Sequence, residues 1–329
     1  MKVRRAHAAL VAGLALTLSL AACGDDGGGD GVFDEDTGGG GSTSTDGGGA
    51  SGDLTVGGAN FTEMTIMQEM YKALLEDAGF TVDIQQADNR EIYEPLLESG
   101  EIDIIPEYAA TMAEFLNAKK NGPDAPTSAP IATADISETV QAMTPLAEEY
   151  GLVLLDPAEA ASQNGFVVSQ EFADTNGVAT LSELGALGQP IVLAAGEECP
   201  DRPFCEPGLE STYGIDITEI LPLGFGSPQT KQAVSDGSAQ LGLVGTTDGT
   251  LAGLGLVLLD DDKNLQLADN LIPIANAESA ADPAIAEALD PLAETLTTGD
   301  LAELNAQVDA ERQEAADVAR AYLEDNGLL

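Results

Sequence analysis

Between residues 60 and 87 the apolar positions change period. Met67, Met70, Tyr71, Leu74 and Ala78 recur at the three- and four-residue spacing of one helix face, and Gly79 supplies a stop. Asn60 and Glu63 stand at capping-box spacing at its start. Phe80, Val82 and Ile84 then alternate with polar neighbours, as a half-buried strand does. The plan recurs further on. "LLESGEIDIIPEYAAT" (96–111) and "AVSDGSAQLGLVGTTDGT" (233–250) both run from a helix end through a glycine into a short apolar strand and a polar loop. "GLVLLDPAEAASQNGFVVS" (151–169) echoes "GLVLLDDDKNLQLADNLIPIA" (255–275), and "LTVGGANFTE" pairs with "PIVLAAGEEC" as a strand before a glycine-containing loop. Echoes in the same order predict two similar α/β lobes, each with a mostly parallel sheet covered by helices.

Ligands of open α/β sheets sit beyond the carboxyl ends of the strands, where loops and helix N-termini offer free N–H groups. Here those places are residues 57–62, 107–111, 196–205 and 245–249, which face one another if the lobes close like jaws.

The amino-terminal segment has a different pattern. Lys2, Arg4 and Arg5 precede an apolar run from Ala8 to Ala22, too short to span a bilayer comfortably and shaped like a secretory signal over residues 1–22. The run ends in "LAAC", which matches the lipobox of bacterial lipoproteins, so Cys23 is expected to carry lipid. Residues 23–52 are mostly Gly, Ser, Thr and Asp and bury too little to fold, which predicts a flexible tether. Roughly 275 residues remain, enough for two lobes.

Export places the chain in an oxidising space. With Cys23 lipidated, Cys199 and Cys205 remain as an even pair, and a disulfide is the default. Zinc usually needs four ligands, and the single histidine, His7, lies inside the signal. A formal charge of -45 argues against binding nucleic acid, which requires lysine and arginine to replace counterions. No GxSxG or HExxH occurs, and no histidine base is left after processing. The expectation is therefore a protein that is not an enzyme and uses neither cofactor nor metal.

Five stretches, "NFTEMTIMQEMYKALLEDAGF", "SGEIDIIPEYAAT", "CPDRPFCEPGLESTYGI", "TTDGTLAGLGLVLLDDDK" and the ending "LTTGDLAELNAQVDAERQEAADVARAYLEDNGLL", resemble in order the substrate-binding proteins of ABC importers for glycine betaine, choline, carnitine and related osmoprotectants. The resemblance covers nearly all of residues 54–329. It implies a type II periplasmic-binding-protein fold, two α/β lobes joined by two hinge crossings. Lobe I would hold residues 53–160 and 268–329, and lobe II residues 161–267. It further implies an extracytoplasmic monomer, anchored to membrane lipid through Cys23, that captures a small osmolyte and hands it to a membrane permease with its ATPase. The alternatives keep the fold but bind a non-quaternary solute, or report ligand to a membrane partner.

Relatives pair an aromatic box for a quaternary ammonium with an arginine for a carboxylate. A trimethylated cation has no N–H to donate, so ring faces replace water at about 0.5 to 2 kcal/mol each. A planar guanidinium holds a carboxylate bidentately. By resemblance Arg202, inside "CPDRPFC", takes the second role, with the Cys199–Cys205 clamp presenting it to the cleft; the competing reading pairs it with a local acid such as Asp201 or Glu206. Ala59 and Ile105 stand where relatives often carry lysine and tyrosine, and aromatics are 4% of the chain. Tyr108 remains the first ring candidate, with Phe61, Tyr93, Phe166 and Phe225 as further rings, and simple core packing is the competing reading for each. Asn60 and Thr62 flank Phe61 in the first loop. Thr246, Thr247 and Asp248 occupy the matching loop of the second lobe, where they would bind polar ligand groups or form an ordinary Asp-Gly turn.

Overall fold

The computed structural model describes residues Gly52–Leu329; the signal segment, Cys23 and the tether as far as Ser51 lie outside the described residues. Among the described residues ten strands form two five-stranded sheets of one plan. In the first, β1 (Asp53–Ala59), β2 (Thr81–Ala87), β3 (Ile104–Tyr108), β4 (Leu152–Leu154) and β10 (Leu271–Asn276) lie in the order β2-β1-β3-β10-β4. In the second, β5 (Asn164–Ser169), β6 (Pro190–Ala195), β7 (Asp216–Pro222), β8 (Leu241–Gly245) and β9 (Leu256–Leu258) lie in the order β7-β6-β8-β5-β9. The two-lobe α/β expectation holds.

The sheets are mostly parallel, as expected, but each contains one strand that runs against the other four. β1 pairs β2 and β3 in parallel, but β10 runs antiparallel between β3 and β4; likewise β6 pairs β7 and β8 in parallel while β5 runs antiparallel between β8 and β9. The reason lies in the connections. A strand that continues from a βαβ crossover enters parallel, whereas β5 and β10 are each entered from the opposite lobe. The two "GLVLLD" repeats are the edge strands β4 and β9, placed just before the chain leaves its sheet. The departing segments meet in an antiparallel bridge between Ala161 and Asn270.

Helix α1 (Thr62–Ala78) buries Met67, Met70, Tyr71 and Leu74 on the face the spacing predicted, and Phe80 and Val82 join the same core. Gly79 ends it at φ 111°, a conformation that suits glycine, while its N–H bonds Glu76 O at 3.1 Å. The start differs from expectation. Phe61 is the N-cap without a side-chain cap, and Asn60 instead donates to Asp88 Oδ1 at 3.0 Å. Glu63 faces inward because it meets the opposite lobe. Carboxy-terminal helices Pro283–Thr295, Thr298–Asp309 and Ala315–Asp325 return to cover α1, so the chain's end completes the first lobe. Close packing is most stringent at Gly57, where an added Cβ would lie 2.5 Å from Ile102 Cδ1.

Met70 is wholly buried between α1 and the first sheet. Met70→Ala should therefore lower unfolding free energy by about 2–5 kcal/mol in urea denaturation.

Candidate functional site

Helix α2 (Arg90–Ser99) and helix α3 (Ala109–Asn121) start at the carboxyl ends of β2 and β3, and the loops after β6, β7 and β8 face them from the second lobe. Between these ends lies a cavity of about 520 Å³ bordered by Phe61, Tyr93, Tyr108, Phe115, Phe204 and Phe225. Phe61 stands 4.9 Å, ring centre to ring centre, from Phe225 of the second lobe at 57°, and 6.4 Å from Tyr108 at 21°. Rings from both lobes thus meet at one point. A second space of about 980 Å³, bordered by Asn60, Thr62, Gly224, Lys231 and Asp309, also touches Phe61. Phe166 is not among these rings; it is 1% exposed in the second lobe's core. Phe115 and Phe204 were not among the expected rings: Phe115 lies outside the expected loops, and Phe204 lies inside the 196–205 loop, where Arg202 and the cysteines were the expected features.

Behind Phe61 lies a buried polar junction. Glu63, 5% exposed, accepts from Tyr108 Oη at 2.6 Å, from Thr247 Oγ1 at 2.5 Å and from Asn305 Nδ2 at 2.7 Å. Thr247 belongs to the second lobe, and its hydroxyl lies 2.9 Å from Ser162 Oγ on the crossing segment. Burial, followed by the charge of Glu63, holds the Tyr108 hydroxyl well above its ordinary pKa, so it stays a donor. Thr62 bonds Asp309 Oδ1 at 2.6 Å. Thr246 Oγ1 accepts from Gln163 N–H at 3.0 Å, and Asp248 holds Lys231 Nζ at 2.8 Å and the Thr250 hydroxyl at 2.6 Å. The polar atoms of Thr246, Thr247 and Asp248 are thus taken up by protein partners.

On the cavity wall, Arg90 forks onto Glu107, with Nε and Nη2 each 2.7 Å from a carboxylate oxygen. Tyr93 donates to the same carboxylate at 2.6 Å and Tyr108 N–H at 2.9 Å. Burial alone would raise the Glu107 pKa, but Arg90 and these donors hold it below the usual carboxylate range. Asp269 has no such cation. Its Oδ1 accepts from Thr111 N–H at 2.8 Å in the first turn of α3, and burial pushes its carboxyl up to about 7. Glu63 and Asp269 escaped the sequence reading because one looked like a cap and the other like part of a polar bend.

The opening of the second lobe's site is a clamped loop. Cys199 and Cys205 are joined by a disulfide with Cα atoms 5.3 Å apart. Inside the clamp, Arg202 N–H bonds Cys199 O at 3.2 Å and Cys205 N–H bonds Arg202 O at 3.0 Å, so the backbone winds around Arg202. Its guanidinium reaches across the cleft. Nε and Nη2 meet Glu91 Oε1 and Oε2, each at 2.9 Å, in a bidentate pair between the lobes. The arginine expected to receive a ligand carboxylate holds one from the first turn of α2.

Two sheets joined by two crossings, with a ring-lined cavity between their carboxyl ends, define a two-lobe solute-binding protein. The family described as the substrate binding domain of ABC-type glycine betaine transport systems matches residues 52–325, and the chain belongs to that family. It is 28% identical over 288 residues to a glycine-betaine-binding protein of Pseudomonas aeruginosa, covering 84% of this chain and 88% of that one. It is 27% identical to the glycine betaine-binding protein YehZ of Escherichia coli, covering 83% and 90%. The structure of apo YehZ superposes with a TM-score of 0.57 at 26% identity, over 84% of this chain and 99% of that one. A choline-binding ABC-transporter protein solved with choline shares the fold at a TM-score of 0.58 and 14% identity, over 84% and 89%.

Asp269 generates a pH signature. Its raised folded pKa means its contribution to stability is complete below about pH 4 and is lost as pH rises through 7. Asp269→Asn lacks that loss. Urea unfolding at pH 4 and pH 8 should show the variant gaining on wild type as pH rises, by at most about 4 kcal/mol.

Proposed function

We propose that the chain is a lipid-anchored extracytoplasmic receptor that captures a quaternary ammonium osmolyte of the glycine betaine, choline and carnitine class and delivers it to an ABC permease with its ATPase. The observation that carries this reading is the meeting of Phe61 and Tyr108 from one lobe with Phe225 from the other around a cavity of about 520 Å³. That volume lies in the usual range of small-molecule sites. Ring faces suit a cation without N–H groups, and a site shared by two lobes lets ligand binding favour closure. Asn60 and Thr62 hold the loop that positions Phe61. Residues 53–160 with 268–329 move against residues 161–267 about the crossings near Ala161 and Asn270. The relatives named for glycine betaine binding support the ligand class.

Isothermal calorimetry against glycine betaine, choline, carnitine and an uncharged polyol tests the class. Quaternary ammonium compounds should bind and the polyol should not. Phe61→Ala should weaken every quaternary ammonium by about 0.5–2 kcal/mol; binding that ignores this change, or the absence of any quaternary ammonium ligand, overturns the reading.

Anchoring is tested separately. Cys23→Ala should abolish metabolic lipid labelling and release the chain from membranes or leave it unprocessed. Unchanged labelling would remove the anchor from the proposal. Among the described residues no helix is long and apolar enough to cross a membrane.

A further inference from the structure

The charges on the cavity wall are unequally matched. Its three basic residues, Arg90, Lys119 and Arg202, each hold a carboxylate already: Arg90 with Glu107 at 2.7 Å, Lys119 with Glu94 at 2.7 Å, Arg202 with Glu91 at 2.9 Å. Five acids on the same wall, Asp88, Glu114, Glu198, Asp201 and Asp269, form no ion pair among the described residues. An entering carboxylate meets no free cation there, whereas an entering cation meets rings and unmatched acids.

Arg202 decides the matter, because it stands where the family resemblance expects the ligand's carboxylate. Both nitrogens of its fork that face the first lobe are filled by the two oxygens of Glu91. Glu91 sits in the first turn of α2, and its pKa is lowered: burial raises it, but the Arg202 hydrogen bonds and charge outweigh this. It is therefore an ionised competitor at neutral pH. To take Arg202, a ligand carboxylate has to displace Glu91 and leave that charge beside its own. Arg90 offers no substitute. Its Nη1 has no partner, but it is closed to solvent, and the guanidinium lies 5.9 Å from the Phe115 ring while its charge is committed to Glu107.

We infer that Glu91 is a specificity-determining residue: it serves as the protein's own carboxylate for Arg202 when the lobes meet, and so selects a quaternary ammonium alcohol such as choline over a zwitterion such as glycine betaine. This rests on the reading of the cleft as a quaternary ammonium site and narrows it. Glu91 supplies from α2 the bridge that a zwitterion would otherwise make.

Calorimetric titration of wild type, Glu91→Gln and Glu91→Gln/Arg202→Ala with choline and with glycine betaine, at one ionic strength, tests the inference. Wild type should bind choline at least about tenfold more tightly than glycine betaine. Glu91→Gln frees the fork, so the ratio of the two affinities should move at least about tenfold toward glycine betaine. Adding Arg202→Ala should cancel that gain. Tighter binding of glycine betaine by wild type, or an affinity ratio unmoved by Glu91→Gln, would overturn the role of Glu91 while leaving the quaternary ammonium site standing. If neither compound nor carnitine binds wild type, the reading of the site itself falls, and the inference with it.

Discussion

One carboxylate, Glu63, lies where both lobes and the crossing segment come together. A buried carboxylate without a cation is costly unless its lone pairs are filled. Here the donors are a phenol and an amide from the first lobe and a hydroxyl from the second. Their arrangement fixes much else. Tyr108 is held beside Phe61, Asn305 ties the carboxy-terminal helices to the cleft floor, and Thr247 brings the second lobe's loop against α1. Separating the lobes breaks the Thr247 contact and exposes the carboxylate to water, which solvates it equally well. The junction therefore orients the lobes when they meet without locking them together.

Other contacts across the cleft are similarly balanced. The Arg202–Glu91 pair is partly exposed, with side chains 23% and 41% accessible, so it adds little to holding the lobes shut even though it occupies the guanidinium fork. Phe61 and Phe225 add a small apolar contact. Against these stands a strongly acidic chain whose like charges resist being drawn together. On the proposed reading, a cation placed between the lobes lowers that repulsion as well as filling the rings, which would link ligand charge to lobe closure.

The repeated plan of the sheets was legible in the sequence because local signals carry it: the α1 stripe, the Gly79 stop and the strand at Phe80–Ile84 depend on neighbours a few residues away. The "GLVLLD" echo was visible too, although its meaning as an edge strand before each crossing was not. Antiparallel β5 and β10 escaped because strand direction is set by where the chain has come from. Site residues divide along the same line. Phe61 and Tyr108 sit in recognisable loops. Glu63 read as a helix cap, since its hydrogen-bond partners Thr247 and Asn305 stand 184 and 242 positions away. Glu91 and Arg202, 111 positions apart, carry no mutual mark in the sequence. Phe166, one of the further ring candidates, lies in the core, because burial on one face of β5 cannot be distinguished from burial against a ligand by pattern alone.

The antiparallel strand in each sheet has a consequence for assembly. Strands β5 to β9 are contiguous, so the second lobe has all its strands once the chain has grown to Leu258. The first lobe has no such independence. Its β10 lies between β3 and β4, so until residues 271–276 arrive those strands present unpaired edges to each other across a gap. The described residues begin and end in the same lobe, and the intervening lobe is in effect an insertion with its own core. Completion of the first lobe is the long-range, entropically expensive event. The segment that brings β10 home is also the one that carries Asp269 to the start of α3, so the pocket wall forms only when folding is nearly finished.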